Sequence, residues 1–377
     1  RPRVWHADSA EWLNEPMVRF KGAARIAAVA ITTLILLSCF HVTVKAQAPI
    51  DSIVILYDAS HDQQFSPDDE AGFKLILDMV NASTKYTVRV NTDPIENTTL
   101  SDVDLLIVAD PDISYDFVAD EVSSIAEMLA NGSSLLLLGN PAISNTSKYW
   151  DDSTMQDAGD NIALNDLLDA LNITGPRFSI NKTQTYSWSD TMFDYEHLIN
   201  ETSPWVMRLD TSTWNPNHPI FKNINELVVM TGTLKPLNLV SSIATGYESS
   251  FAQFRDSIST LANYSFPNMT LEEFAEIPLS YSAINGTFPP WMSAFEYNES
   301  RIVISGSAMM FSGLVVDVYE IESQWFYTAD NARLFMNMLD WLTEGFVEPP
   351  GAIFPMLMIS MTILVVGAVY YVFKKMR

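Results

Sequence analysis

Cysteine is almost missing from this 377-residue chain, and its one copy, Cys39, lies near the N-terminus. Everything after it is therefore without disulfides, a thiol nucleophile or a cysteine-based zinc site. Basic residues are also scarce, 21 Lys and Arg against 46 Asp and Glu, for a formal net charge of -25. Phosphate neutralisation needs clustered Lys and Arg, so the charge argues against nucleic acid and anionic lipid surfaces as partners. Internal repeats and low-complexity linkers are lacking too.

What is present is a bracket of two long apolar runs. The segment from Gly351 to Phe373 has no charge and is followed by Lys374, Lys375 and Arg377. At 1.5 Å per residue it is long enough for a hydrocarbon core of about 30 Å. The basic stop predicts a cytoplasmic tail over 374–377 with the body of the chain outside. Tyr370 and Tyr371 fit an interfacial aromatic belt, and Pro355 lies near enough to the outer end to be tolerated. The first run, Ile26 to Val44, follows Arg19, Lys21 and Arg25 and leads to Ala46-Gln47-Ala48, the order of a signal peptide. Pro49 would hinder cleavage directly after that triplet, so the segment is either cut elsewhere or retained as a signal anchor. Met17 is its natural start. Leu36-Leu37-Ser38-Cys39 resembles a lipoprotein box; the plainer reading is a small apolar residue inside the signal.

Between the runs stand eleven Asn-x-Ser/Thr acceptor sites, at Asn81, Asn97, Asn131, Asn145, Asn172, Asn181, Asn200, Asn263, Asn268, Asn285 and Asn298. Their density points to a glycosylated, exported domain, at the cell surface or, in a eukaryote, in the lumen of the endoplasmic reticulum. The expected organisation is upstream residues and signal over 1–48, an extracytoplasmic domain over 49–347, a stiff spacer Glu348-Pro349-Pro350, the membrane helix over 351–373 and the tail.

The exported part reads as α/β. Ile53 to Tyr57 is a short, continuously apolar, β-branched run, as in a strand buried on both faces of a parallel sheet. A helix is expected over Glu70 to Asn81, strands at Thr87 to Val90 and Leu105 to Val108, and a helix over Tyr115 to Ala130 ended by Asn131-Gly132. Leu135 to Leu138 begins the next strand. The pattern weakens from about 140 to 300, apart from a helix near Ala163 to Leu171 and a strand near Val228 to Met230. That stretch reads as an aromatic-rich insertion running around the sheet edge. Arg301 to Ser305 and the helix Asn331 to Thr343 restore the pattern. The expectation is an open, mainly parallel sheet with helices on both faces.

Three stretches carry a family resemblance: IVILYDASHDQQFSP at 53–67, ANGSSLLLLGNP at 130–141, and SRIVISGSAMMFSG followed by DNARLFMNMLDWL within 300–342. Asn217-His218-Pro219-Ile220 is a weaker echo. Together they resemble the glutamine-amidotransferase-like ectodomains of an uncharacterised prokaryotic membrane family, of gliding-type ABC transporter auxiliary proteins, and of the 48-kilodalton subunit of oligosaccharyltransferase. The resemblance implies an amidotransferase-like fold used for binding or scaffolding. The catalytic members' Cys nucleophile has no counterpart here, and the subunit's second, β-rich domain before its anchor is absent.

Asp58 and His61 fall just past the first strand, at the carboxyl edge where open α/β sheets bind ligands. Three residues apart, they could share a metal or form an acid-base pair. Alternatively Asp58 and Ser60 cap the turn and His61 packs or faces solvent. Ser305-Gly306-Ser307 follows a strand, but Ile304 breaks the G-x-S-x-G spacing of a nucleophile elbow, and a tight turn of small residues accounts for it. Ser307 stays a ligand-binding candidate beside Asp58 and His61; His218 reads as a loop-fixing residue. Trp150, Trp188, Trp205, Trp214 and Trp291, with Tyr186 and Tyr195, would form either a binding platform or a core beneath long loops. The leading expectation is a non-catalytic, membrane-anchored protein without a cofactor, whose partners are membrane proteins or glycans. A metal-dependent hydrolase using Asp58 and His61, and an accessory subunit of a glycan-transfer complex, are the alternatives.

Overall fold

A computed structural model describes residues 52–112, 116–143, 158–180, 189–200, 203–235, 242–254, 279–282, 288–318 and 321–346. Both apolar runs, Cys39, Trp150, Tyr186, Trp188 and the sequons at Asn145, Asn181, Asn263, Asn268 and Asn285 lie outside them. Among the described residues no helix is long and apolar enough to cross a membrane.

The first half alternates strands and helices: β1 (Ile53–Asp58), α1 (Lys74–Asn81), β2 (Tyr86–Asn91), the short α2 (Asn97–Leu100), β3 (Leu105–Ala109), α3 (Ala119–Ala130), β4 (Ser134–Leu138) and α4 (Ile162–Ala170). Short strands follow: β5 (Arg177–Phe178), β6 (Asp190–Phe193), β7 (Met207–Asp210), β8 (Glu226–Val229), β9 (Leu234–Lys235), β10 (Ser242–Thr245), β11 (Phe251–Phe254) and β12 (Leu279–Ser282). The chain then forms the hairpin β13 (Pro290–Tyr297) and β14 (Ser300–Ser305), a second hairpin β15 (Val315–Val318) and β16 (Ile321–Gln324), and α5 (Asn331–Leu342).

Seven strands make the central sheet, in the order β10-β13-β14-β4-β3-β1-β2. From β14 to β2 every pairing is parallel, whereas β13 and β10 are antiparallel additions. The parallel strands read as unbroken apolar runs because both faces are covered. Their side chains alternate between two cores. Ile55, Tyr57, Ile107, Leu136 and Val303 join one core with α1 and α5. Leu56, Leu106, Leu135, Ile302 and Ile304 join the other with α3 and α4. In α5, Leu334, Phe335, Met338, Leu339 and Leu342 form the buried stripe. Each such side chain contributes about 1.5–3 kcal/mol through burial, and Phe335→Ala would remove the largest single piece.

Two sequence expectations are amended. The stretch before 300 is not wholly an excursion, since β10 and β13 extend the main sheet on the β14 side. Alternation and length alone do not reveal which sheet a short strand joins. The helices α1 and α3 also start later than expected, at Lys74 and Ala119. Backbone turns through Asp69 and Ser66 occupy the residues before α1. Trp205, Trp214 and Trp291 are buried in the core, which satisfies the packing account of those aromatics.

Candidate functional site

The parallel strands β14, β4, β3, β1 and β2 end at one edge of the sheet, and polar residues gather there. Asp58 closes β1 fully buried. Its Oδ1 accepts hydrogen bonds from the Ser60 amide at 3.1 Å and the Ser60 hydroxyl at 2.6 Å. Its Oδ2 accepts from Gln63 Nε2 at 2.8 Å and from His61 Nδ1 at 2.7 Å. The expected turn cap and the Asp-His pair are therefore both present.

The other ring nitrogen has a partner of its own. His61 Nε2 lies 3.3 Å from Glu121 Oε2, and the ring stacks on Phe117 with centroids 3.9 Å apart. Glu121 stands in the first turn of α3, where the helix dipole favours an anion. It also accepts the amides of Ile95 at 2.9 Å and Val118 at 3.0 Å. An ionised carboxylate only accepts, so a pair of them, one at each ring nitrogen, favours the imidazolium form of His61, which donates from both. Burial pulls its pKa down, but the hydrogen bond and charge of Asp58, with those of Glu121, outweigh that and hold it above the ordinary histidine value. An imidazolium has no lone pair for a metal or for a substrate proton. Among the described residues no group of three or more His, Cys, Asp or Glu is arranged to hold a metal ion.

Next along the edge, Asp110 follows β3 with φ of 49°. It is buried, its Oδ2 accepts from Asn140 Nδ2 at 2.5 Å, and Oδ1 has no partner among the described residues. Burial pushes its carboxyl up to about 7, against the Asn140 hydrogen bond and with help from the charge of Asp160. Asn140 passes the network on, its Oδ1 accepting the amides of Ala308 at 3.1 Å and Met309 at 2.9 Å. Asn161 brackets its backbone, donating to Asn140 O at 2.8 Å and accepting Asn140 N at 3.0 Å.

Ser307 lies in the turn reached by that network and is fully buried. Its Oγ accepts the Met310 amide at 3.2 Å, capping the short turn Met309–Phe311. Gly306 packs so closely on the Gly232 carbonyl and Thr231 that a Cβ would force the backbone apart. The small residues are there for this approach. Two strands, β4 and β3, separate β14 from β1. Ser307 is thus about 14 Å across the sheet from Asp58, at about 4.8 Å per strand. Asp58 and His61 are brought together; Ser307 is not brought to them. His218 caps the short turn Pro219–Phe221, its Nδ1 accepting the Ile220 amide at 3.4 Å. Burial, then the charge of Arg301, lowers its pKa.

Glu121, Asp110 and Asn140 were missed in the sequence. Asp110 and Asn140 did carry a signal, since each stands within two residues of the end of a continuously apolar strand, the place that picked out Asp58. Glu121 had none, because its link to His61 spans 60 residues.

Fold and site together define an open α/β domain whose carboxyl-edge polar groups are satisfied largely by one another. No protein-family model and no curated protein matches the sequence. Among solved structures, the chain is similar to the N-terminal domain of mmIFT52, at 15% identity and a TM-score of 0.47, over 78% of this chain and 100% of that one. It is also similar to a cytoplasmic protein from Salmonella typhimurium, at 12% identity and 0.39, over 77% and 98%. A third is a ThuA-like protein from Bacteroides uniformis, at 12% identity and 0.34, over 80% and 94%.

Proposed function

We propose that this chain is a non-catalytic, membrane-anchored extracytoplasmic protein that binds or scaffolds partners, as an accessory subunit of a membrane complex. The observation that carries the reading is the closed Asp58-His61-Glu121 bridge. Both nitrogens of His61 face carboxylates that also accept hydrogen bonds from Ser60, Gln63, Ile95 and Val118. That arrangement ties the β1 loop to α3 and leaves neither base nor metal ligand. The hydrolase alternative needs that same histidine neutral and open, so it is disfavoured by the bridge rather than by any missing ion. Anchoring and export rest on the two apolar runs, the basic stop and the sequons. All six described sequon asparagines, Asn81, Asn97, Asn131, Asn172, Asn200 and Asn298, are exposed, as glycan attachment requires. The resemblance to the oligosaccharyltransferase subunit makes glycan-transfer complexes one class of partner.

The test is purification of the full chain from its native membrane in mild detergent, with cross-linking, mass spectrometry and metal analysis. A fixed stoichiometric set of membrane proteins is expected, with glycopeptides at the exposed sequons. Recovery of the chain alone would remove the scaffold role. Stoichiometric metal lost in Asp58→Ala would replace the reading with the hydrolase.

A further inference from the structure

Opposite the carboxyl edge, the amino edge of the sheet gathers both ends of the described domain. Ser52 leads into β1 there, its Oγ 2.6 Å from Thr87 Oγ1 at the start of β2. The end of α5 is fastened to the same edge. Ser134, the first residue of β4, donates to Leu342 O at 2.7 Å, and Arg301 at the start of β14 donates to Trp341 O at 2.6 Å. Tyr86, the first residue of β2, donates to Asp340 Oδ1 at 2.6 Å. Phe346 is the last described residue, and only 347–350 separate it from the second apolar run. Five Cα steps reach at most about 18 Å whatever their conformation.

Four of the exposed sequons surround this edge. Asn81 ends α1, Asn131 follows α3, Asn172 follows α4 and Asn298 lies in the β13–β14 turn. Asn172 and Asn298 hold left-handed turn conformations, with φ of 54° and 55°. Asn81 Oδ1 accepts the Val88 amide of edge strand β2 at 3.1 Å. A glycan on its Nδ2 leaves that bond intact and shields the strand from pairing with another chain.

We infer that the domain stands on the membrane by the amino edge of its sheet, inside a collar of glycan sites, and turns its carboxyl edge away from the bilayer. The inference rests on the anchored reading above. The short tether holds Phe346, beside the amino edge, within about 18 Å of the start of the second apolar run. The carboxyl edge is one strand length further, about 20 Å. Glycans around the base keep flat protein surfaces off it, so a partner of appreciable height meets the far edge or the flanks.

The test uses the full chain carrying Cys39→Ser and one added cysteine, either Glu299→Cys or Thr84→Cys at the amino edge, or Asp93→Cys just past β2 at the carboxyl edge. All three positions are exposed. Each variant is labelled with a donor dye and reconstituted into vesicles containing an acceptor lipid. Energy transfer from positions 299 and 84 should be at least about twice that from 93, given the strand-length difference. Equal or reversed transfer in vesicle-bound protein would overturn the orientation and leave the anchor standing. Protein that stays out of the vesicle fraction would overturn both. The two amino-edge labels check one another if either variant folds poorly.

Discussion

Asp-x-x-His occurs twice in this chain, as Asp58 with His61 and as Asp194 with His197, and the fold gives the copies opposite settings. The first is buried at the carboxyl edge, with partners on both ring nitrogens. The second sits on the loop after β6, where His197 is half exposed and stacks on Tyr247 at 3.5 Å. There Asp194 Oδ1 and Ser249 Oγ both approach the same nitrogen, Nδ1, at 3.1 and 3.4 Å. A Ser-His-Asp relay needs the acid and the nucleophile on opposite nitrogens. Ser249 instead donates to Asp194 Oδ2 at 2.8 Å, beside Ser250 at 2.7 Å. Burial would raise the Asp194 pKa, but these hydroxyls and the amides of Glu196 and His197 overcome it and hold it below the usual carboxylate value. One spacing thus yields an ion bridge between distant elements and a local loop cap. The second nitrogen makes the difference.

The largest expected effect breaks the first copy. His61→Ala strands two buried carboxylates, a loss of about 3–5 kcal/mol, whereas His197→Ala at its half-exposed site should cost at most about 1 kcal/mol. Urea unfolding of the two variants measures the contrast, and similar losses would erase it.

The next effect depends on pH. Asp110 is ordinarily a 3.8 carboxyl and is pushed to about 7 in the fold, so the folded state holds its proton longer. Its stabilising share is full at low pH and is lost as pH rises from about 4 to about 7, an effect of a few kcal/mol. Asp110→Asn should flatten that slope; an unchanged slope would mean the carboxyl is already ionised. The His61 pKa is also raised, so the bridge contributes fully below pH 6.5 and weakens as pH climbs through the folded value. Stability of wild type minus His61→Gln, followed into the alkaline range, should fall. The smallest effect sharpens the second copy: Ser249→Ala removes one of several donors to Asp194 and should cost about 1 kcal/mol, with thermal unfolding as the readout.

The parallel strands were legible because burial on both faces makes them unbroken apolar runs, as in Leu135 to Leu138. The helix α5 was legible from its one-sided apolar repeat. The placement of β10 and β13 was not, since a short strand's partner is set by tertiary pairing. Within the site, Asp58 and His61 were visible because they adjoin the first strand. Glu121 was hidden on a different element, and without it the pair left both a turn cap and a metal or acid-base site open, the turn being the plainer reading. Ser307 shared a strand end with them in sequence pattern but not in space, because sheet order rather than chain order sets the distance.

The most direct test is nitrogen NMR of the His61 ring across pH, with and without added zinc. A closed bridge predicts both ring nitrogens protonated at pH 6.5, a titration midpoint above that value, and no response to the metal. A neutral ring at pH 6.5, or a His61 signal that shifts when zinc is added, would contradict the account.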